Sequence, residues 1–406
     1  MKKYTVRVAV PFIVFALVAM SLTAQEAREG GAVADFEVVW QVVSEWYVDG
    51  TFGGAPWASL RDEYRTKIQQ APDNETAYEL LDELISKLDD PATFVVPPWL
   101  VPEPQEQQAG EPETEYAGVG IMINEVEGTG VIVVGVFREA PAEGAGVLMG
   151  DVIVAADGHR FTEDEGSSEV TERVRGPVGT EVTLTLRDPD GDERDVTITR
   201  DRIDLRPSVE ARTIQRGVGY IRLPALTIDL VEQASRALPT LLSTNGIVLD
   251  LRGIGSGTPE AMAVLAQWFL GPAQIGAVAT RDERHPIPHR ADAIAAYRNH
   301  LVVITDNRTS GVAEVLAAVL RDHNRAKIVG ETTRGGSQIG RMLELPSGAL
   351  FHVIIATYVT PRGTVLRADG IKPDVELPLP DLSTIRAGRD PFLDRAIEVI
   401  MSGGRV

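Results

Sequence analysis

The chain has 406 residues, 44% hydrophobic and 24% charged, enough for two or three domains with real cores. Its 59 acidic residues against 39 lysines and arginines give a formal net charge of −20, which argues against nucleic acid or an anionic membrane as a partner. No cysteine is present, so disulfides, thiol catalysis, cysteine metal sites and a lipid-modified cysteine anchor are excluded.

Residues 1–24 read as a signal peptide. Lys2, Lys3 and Arg7 form a basic start, Val8 to Ala24 is largely apolar and broken by Pro11, and small residues precede polar Gln25. An exported, periplasmic or otherwise extracytoplasmic protein is expected. The 17 residues from Val8 to Ala24 also approach a minimal membrane span, so an uncleaved anchor is the alternative.

Residues 25–100 read as a helical region. Phe36–Tyr47 and Thr76–Lys87 carry apolar residues three and four apart. The stripe near Phe36–Tyr47 either buries within the chain or serves a homodimer. Trp40, Trp46, Tyr47 and Trp57 read as core aromatics. Residues 101–115 are acidic and proline-rich and read as a linker.

Residues 116–203 resemble a PDZ domain. Ala117-Gly-Val-Gly-Ile121 is similar to its carboxylate-binding loop, and Ala140–Gly146 and Met149–Gly158 to its central signature. Glu181–Arg187 and Arg194–Arg200 alternate as strands around an Asp190-Gly191 turn. The resemblance implies capture of a chain-terminal carboxylate by backbone N–H groups of Gly118, Val119, Gly120 and Ile121, with the adjacent strand edge adding the peptide.

Residues 204–380 alternate strand and helix. Gly219–Pro224, Gly246–Arg252, Leu301–Thr305, Ala326–Glu331 and Leu350–Tyr358 read as strands, and Pro259–Leu270 and Val312–Asp322 as helices. Residues 381–406 close the chain with a helix near Pro391–Met401. The expected fold class is α+β and multidomain: a helical N-terminal region, a β-rich PDZ-like domain and an α/β core with a mixed sheet. His285 and His289 are spaced for a metal, but two prolines between them deny the helical geometry, and no metal or cofactor is expected.

The run SGVAEVLAAVLRDHNRAKIVGETTRGGSQ, from Ser310, resembles the carboxy-terminal processing, or tail-specific, peptidases. Glu314, Arg325, Ala326, Gly330 and Glu331 carry the match. In that family a serine three residues before the glutamate attacks the peptide carbonyl, and a lysine in the later glycine turn takes its proton. The serine slot here is Gly311 and the lysine slot is Gly336, 25 residues on. Glycine does neither job. Arg334 stays protonated, and Ser337 is a poor substitute for an amine. Ser310 is the fallback nucleophile. Gly257 matches the last glycine of the family's oxyanion segment, and the backbone of Val312 opens the helix after the nucleophile slot. The related tricorn-like branch replaces the lysine by a histidine from elsewhere but keeps the serine, so Gly311 departs from that pattern too. The resemblance implies an exported peptidase homologue, catalytically impaired, that binds polypeptide C-termini or unstructured peptides. The alternative is an active serine peptidase that uses Ser310 and a non-standard base.

Overall fold

The computed structural model describes residues 24–101, 115–126, 130–162, 165–206, 208–289, 294–367 and 369–404. The expected signal peptide, apart from residue 24, and most of the linker lie outside these residues. No helix among the described residues is long and apolar enough to cross a membrane.

The chain divides into two compact units. The first comprises residues up to 102 together with 341–353. Its helices are Ala24–Trp46, Trp57–Gln69 and Asn74–Ser86. Asp73 caps the last of these, its carboxylate accepting the Thr76 N–H at 2.8 Å. Phe36, Val39 and Val43 lie on one face at helical spacing and are fully buried. Of the two roles open to that stripe, burial within the chain is the one it takes. Tyr47 and Trp57 are buried as expected, whereas Trp40 and Trp46 are only half-buried. Each of these two lies under a guanidinium, Arg61 at 4.4 Å and Arg341 at 5.5 Å, an arrangement that suits the ring face to the unit's surface. The short strand Phe94–Val96 pairs antiparallel with the start of Leu350–Val359, Phe94 opposite His352. Buried Asp35 clasps this unit, accepting from the Tyr78 hydroxyl, the Ser347 N–H (3.1 Å) and the Ser347 hydroxyl (2.5 Å).

The second unit comprises 103–340 and 354–406. Its first part is an antiparallel sheet in the order Ile121–Val126, Gly130–Val136, Val152–Ala156, Glu181–Arg187, Glu193–Thr199. Ile121–Val126 is therefore an edge strand, and the helix Ser167–Val174 belongs to the same part. Its core gathers Val133, Ile153, Val170, Leu184 and Ile198.

The second part is a six-stranded sheet in the order Glu210–Thr213, Gly219–Arg222, Gly246–Asp250, His300–Thr305, Lys327–Gly330, Val375–Glu376. The first pair is antiparallel and the rest are parallel, so the sheet is mixed. The central strands are apolar on both faces because both are covered. Leu249 and Val303 point to one face and pack with the helices Ile228–Leu241, Pro259–Leu270 and Val312–Asp322. Val248, Val302 and Ile304 point to the other and pack on the helix Pro391–Met401 through Phe392, Ile397 and Ile400. Arg252 ties that helix down, reaching Asp250 (2.6 Å) and Asp390 (2.7 Å) at once. A further hairpin of Ala277–Ala279 and Arg284–Pro286, unforeseen in the sequence, pairs with the end of Leu350–Val359.

Candidate active site

Three loops meet beyond the carboxyl ends of the central parallel strands, and one carboxylate joins two of them. The strand His300–Thr305 ends at Asp306, which is 4% exposed. Its Oδ1 accepts the N–H of Gly253 at 2.9 Å and the N–H and hydroxyl of Thr309, both at 2.9 Å. Burial works to raise this carboxyl, but the Gly253 N–H, the Thr309 hydroxyl and Arg308 outweigh it and hold it below the usual aspartate range. The loop after Gly246–Asp250 and the turn before Val312 are thus fixed to each other. Ser310 N–H to Ile254 O (2.9 Å) and the Thr309 hydroxyl to Leu251 O (3.1 Å) reinforce the joint. Arg334 N–H donates to Thr309 O at 2.9 Å and brings in the third loop, the glycine turn.

Gly311 stands at the apex with φ 59° and ψ −135°, a conformation that other residues reach only under strain. Strained strand-to-helix turns of this kind are what nucleophile elbows use to lift a side chain clear of the sheet. A β-carbon at Gly311 would meet only the Gly255 carbonyl, at an ordinary 3.6 Å. The slot has room for a side chain but carries none. Past the apex, the N–H groups of Val312 and Ala313 have no acceptor among the described residues, as the first turn of a helix requires. The N–H of Gly257 has none either, and a β-carbon there would lie 2.8 Å from Val312 Cγ2. The two backbones assigned in sequence to an oxyanion site are thereby brought side by side.

The second slot, Gly336, is exposed, at φ 82°, with nothing within 4 Å of where its β-carbon would lie. The turn around it is anchored by Glu314, which is completely buried and accepts from the Thr333 hydroxyl and from Gly335 N–H (3.2 Å). Burial raises the Glu314 carboxyl above the ordinary glutamate value, against the opposing effect of the Thr333 hydroxyl and the Gly335 N–H.

Neither serine is hydrogen-bonded to a base among the described residues. The hydroxyl of Ser310, half-buried, makes no hydrogen bond among the described residues, and that of Ser337, 1% exposed, has no partner there. The lysines of this unit are Lys327, 3.5 Å from Asp374, and Lys372, 3.8 Å from Glu376. Lys327 opens its strand opposite Val302, at the other end of the sheet from the Gly311 turn. Among the histidines of this unit, His159 binds Glu165, His285 binds Glu283, and His323 faces the Gln274 carbonyl. His289 lies against Ile287 O at 3.4 Å, so it and His285 have separate partners.

In the PDZ-like part, Gly120 (φ 82°) is demanded by packing, since a β-carbon would fall 2.3 Å from that of Ala140. Beside the loop lies a cavity of about 160 Å³, lined by Tyr116, Val119, Ile121, Ile123 and Val174 and bordered by Arg175. The Arg175 guanidinium sits 4.9 Å from the Tyr116 ring, and burial raises the phenol above its usual value. The cavity adjoins the free edge of Ile121–Val126.

Residues 217–377 match peptidase family S41, residues 117–199 a PDZ domain, and residues 33–86 the tricorn protease C1 domain. A carboxyl-terminal-processing protease of Picosynechococcus sp. is 33% identical over 347 residues, which span 84% of this chain and 81% of that protein. The chain belongs to the carboxyl-terminal-processing protease family. The Synechocystis sp. carboxyl-terminal-processing protease is 31% identical over 374 residues, covering 90% of this chain and 86% of its own. The solved photosystem II D1 C-terminal processing protease superposes with a TM-score of 0.51 at 27% identity, covering 88% of this chain and 96% of that one.

Within this processing-protease frame, sequence reasoning singled out the slots but not their fasteners. Asp306, Thr309 and Thr333 hold the three loops together, and none was named as a site residue. The dense capping chemistry of Asp306-Asn-Arg-Thr-Ser was the available signal.

Proposed function

We propose that this processing-protease homologue holds polypeptide tails without cutting them. One observation carries the reading. The apex of the strand-to-helix turn keeps its strained geometry, with N–H groups beside it that have no acceptor among the described residues, yet the residue there is Gly311. Peptide hydrolysis through this site needs an attacking oxygen and a proton acceptor. Gly311 and Gly336 supply neither, and the hydroxyl of Ser310, one residue away, makes no hydrogen bond to a base among the described residues. Loss of both groups together removes nearly all catalytic power, because such residues act as a unit.

Binding draws on two features. The Gly118–Ile121 loop offers N–H groups for a terminal carboxylate, and the cavity of about 160 Å³ takes one apolar side chain beside the edge strand. The oxyanion-type backbones of Gly257 and Val312 give an extended peptide a polar landing point. The basic, then apolar, residues 1–24 support an extracytoplasmic location, and the net charge of −20 disfavours nucleic acid.

The test pairs reactivity with binding. The purified protein is treated with a fluorophosphonate probe and offered peptides that end in a free or an amidated apolar residue. No labelling, together with binding that is lost on amidation, is the expected result. Labelling of Ser310, with proteolysis abolished in Ser310→Ala, would establish the active-peptidase alternative instead.

A further inference from the structure

The end of the six-stranded sheet remote from the Gly311 turn carries a second cleft, of about 1200 Å³. His300 and Lys327 open neighbouring strands on its floor, and Ser243, Asp322 and Met401, at the ends of three helices, form its walls. Five cations line it, Arg298, Arg321, Arg325, Lys327 and Arg362, against the carboxylates of Asp322 and Asp374. That balance is opposite in sign to the chain's net charge of −20.

Part of this charge serves the fold. Arg325 donates to the carbonyls of Phe269 (3.1 Å), Tyr297 (3.0 Å) and Asn299 (2.8 Å), and so closes the end of the Pro259–Leu270 helix. Arg321 lies in the last turn of its own helix and reaches Lys372 O at 2.6 Å. Two arginines have no such employment. Arg298 and Arg362 are exposed, and their guanidiniums have no hydrogen bond or ion pair among the described residues. The nearby carboxylates are engaged with other groups, Asp374 with Lys327 of the same cleft at 3.5 Å. Asp322 accepts the Thr360 hydroxyl and the Arg362 N–H, and Asp374 accepts the Ile328 N–H at 2.8 Å.

We propose that this cleft binds an acidic polypeptide segment, rich in aspartate and glutamate, at a site separate from both tail-binding features. Three observations select that class of anion. Helices finish here rather than begin, so the cleft lacks the convergent N–H groups that a compact phosphate dianion needs. No Phe, Tyr or Trp ring is among the described residues that line it, so the broad stacking platforms of single-stranded nucleic-acid sites are missing. Separate guanidinium forks spread along an open cleft suit a row of single carboxylates, each taken as a forked pair.

The experiment measures fluorescence anisotropy of a labelled deca-glutamate peptide with an amidated C-terminus, so that carboxylate capture by the PDZ-like loop plays no part. The full-length protein is expected to bind it saturably at low salt and to release it as salt screens the pairs. Arg298→Ser/Arg362→Ser, both at exposed positions, is expected to weaken binding about ten-fold, since each exposed pair is worth up to roughly a factor of five. Circular dichroism confirms that the variant is folded. Gly120→Ala, whose β-carbon would press on Ala140 within the PDZ-like part and away from the cleft, is expected to leave the affinity unchanged. Absence of binding by the wild-type protein overturns the proposal, as does equal affinity in the double variant. Displacement by pyrophosphate or oligothymidylate at equal charge concentration also overturns it, because the cleft would then be a general anion site.

Discussion

Two glycines of the site illustrate how differently a single β-carbon is received. At Gly257 it would lie 2.6 Å from Leu226 O, a backbone atom with no room to retreat. At Gly311 it would meet nothing closer than 3.6 Å. Gly311→Ser is therefore expected to fold, with a stability loss of about 1–3 kcal/mol from the positive φ alone. Gly257→Ala is expected to lose more, with displacement of the Leu226 segment. Urea titration of the two variants checks the order, and a Gly311→Ser protein less stable than Gly257→Ala would contradict it. Glu314 gives a pH signature. Its folded carboxyl is raised above the ordinary glutamate value, so the folded state binds its proton more tightly than the unfolded chain. Stability contributed by this group is therefore present below that value and falls as pH rises through it toward the raised folded value. Glu314→Gln is expected to flatten that part of the stability-versus-pH curve, read as urea midpoints across mildly acidic pH. An unchanged slope would remove Glu314 as its source. Neither glycine's torsion nor the burial of Glu314 is written in one sequence, but the slots themselves were legible because Glu314 and Gly330-Glu331 fix the count of residues to each.

Elements differ in how plainly the sequence announces them. Gly246–Asp250 and His300–Thr305 were readable as strands because both faces are covered, so every position can be apolar. Glu210–Thr213 and Ala277–Ala279 were not, since strands this short carry no run long enough to stand out from loops. The C-terminal helix was legible from Pro391 at its first turn and from its periodic apolar residues, but its attachment was not. That attachment is the buried ion-pair system of Asp250, Arg252 and Asp390, with the Tyr220 hydroxyl on Asp250 at 2.7 Å. Burial opposes ionisation of Asp250, yet Arg252 and the Tyr220 hydroxyl hold its carboxyl below the usual range. Arg252→Met leaves Asp250 buried without its cation and is expected to cost about 3–5 kcal/mol. Thermal unfolding measures this, and a loss under about 1 kcal/mol would show that water reaches the vacated position.

At the scale of the whole molecule, the multidomain α+β plan was legible from the order of motifs, and three separate family matches agree with it. What single-sequence reading lacked was long-range assembly. The clasp of Asp35 on Ser347 joins residues 312 positions apart, and no local pattern reports such a pairing. Replacing Asp35 by alanine leaves the Tyr78 and Ser347 hydroxyls only each other, at 2.7 Å, and takes the acceptor from the Ser347 N–H and from one hydroxyl; it is expected to cost about 1–3 kcal/mol within the first unit, measurable by hydrogen exchange of its helices. The net charge of −20 acts on the entire chain through self-repulsion. Added sodium chloride is expected to raise the melting temperature, and a falling curve would mean that ion pairs such as Arg252–Asp390 outweigh the repulsion.

The Asp306 clasp also bears on ancestry and engineering. The bend at position 311 is secured from below by hydrogen bonds to a carboxylate, not by whatever side chain crowns it. Its shape is therefore held from beneath, so that a side chain placed there meets the strain of the positive φ but not the loss of the bend. Serine, cysteine or an electrophile-bearing unnatural amino acid installed there would inherit a ready-made posture, and the fold becomes a blank mount on which alternative hydrolytic chemistries can be compared side by side.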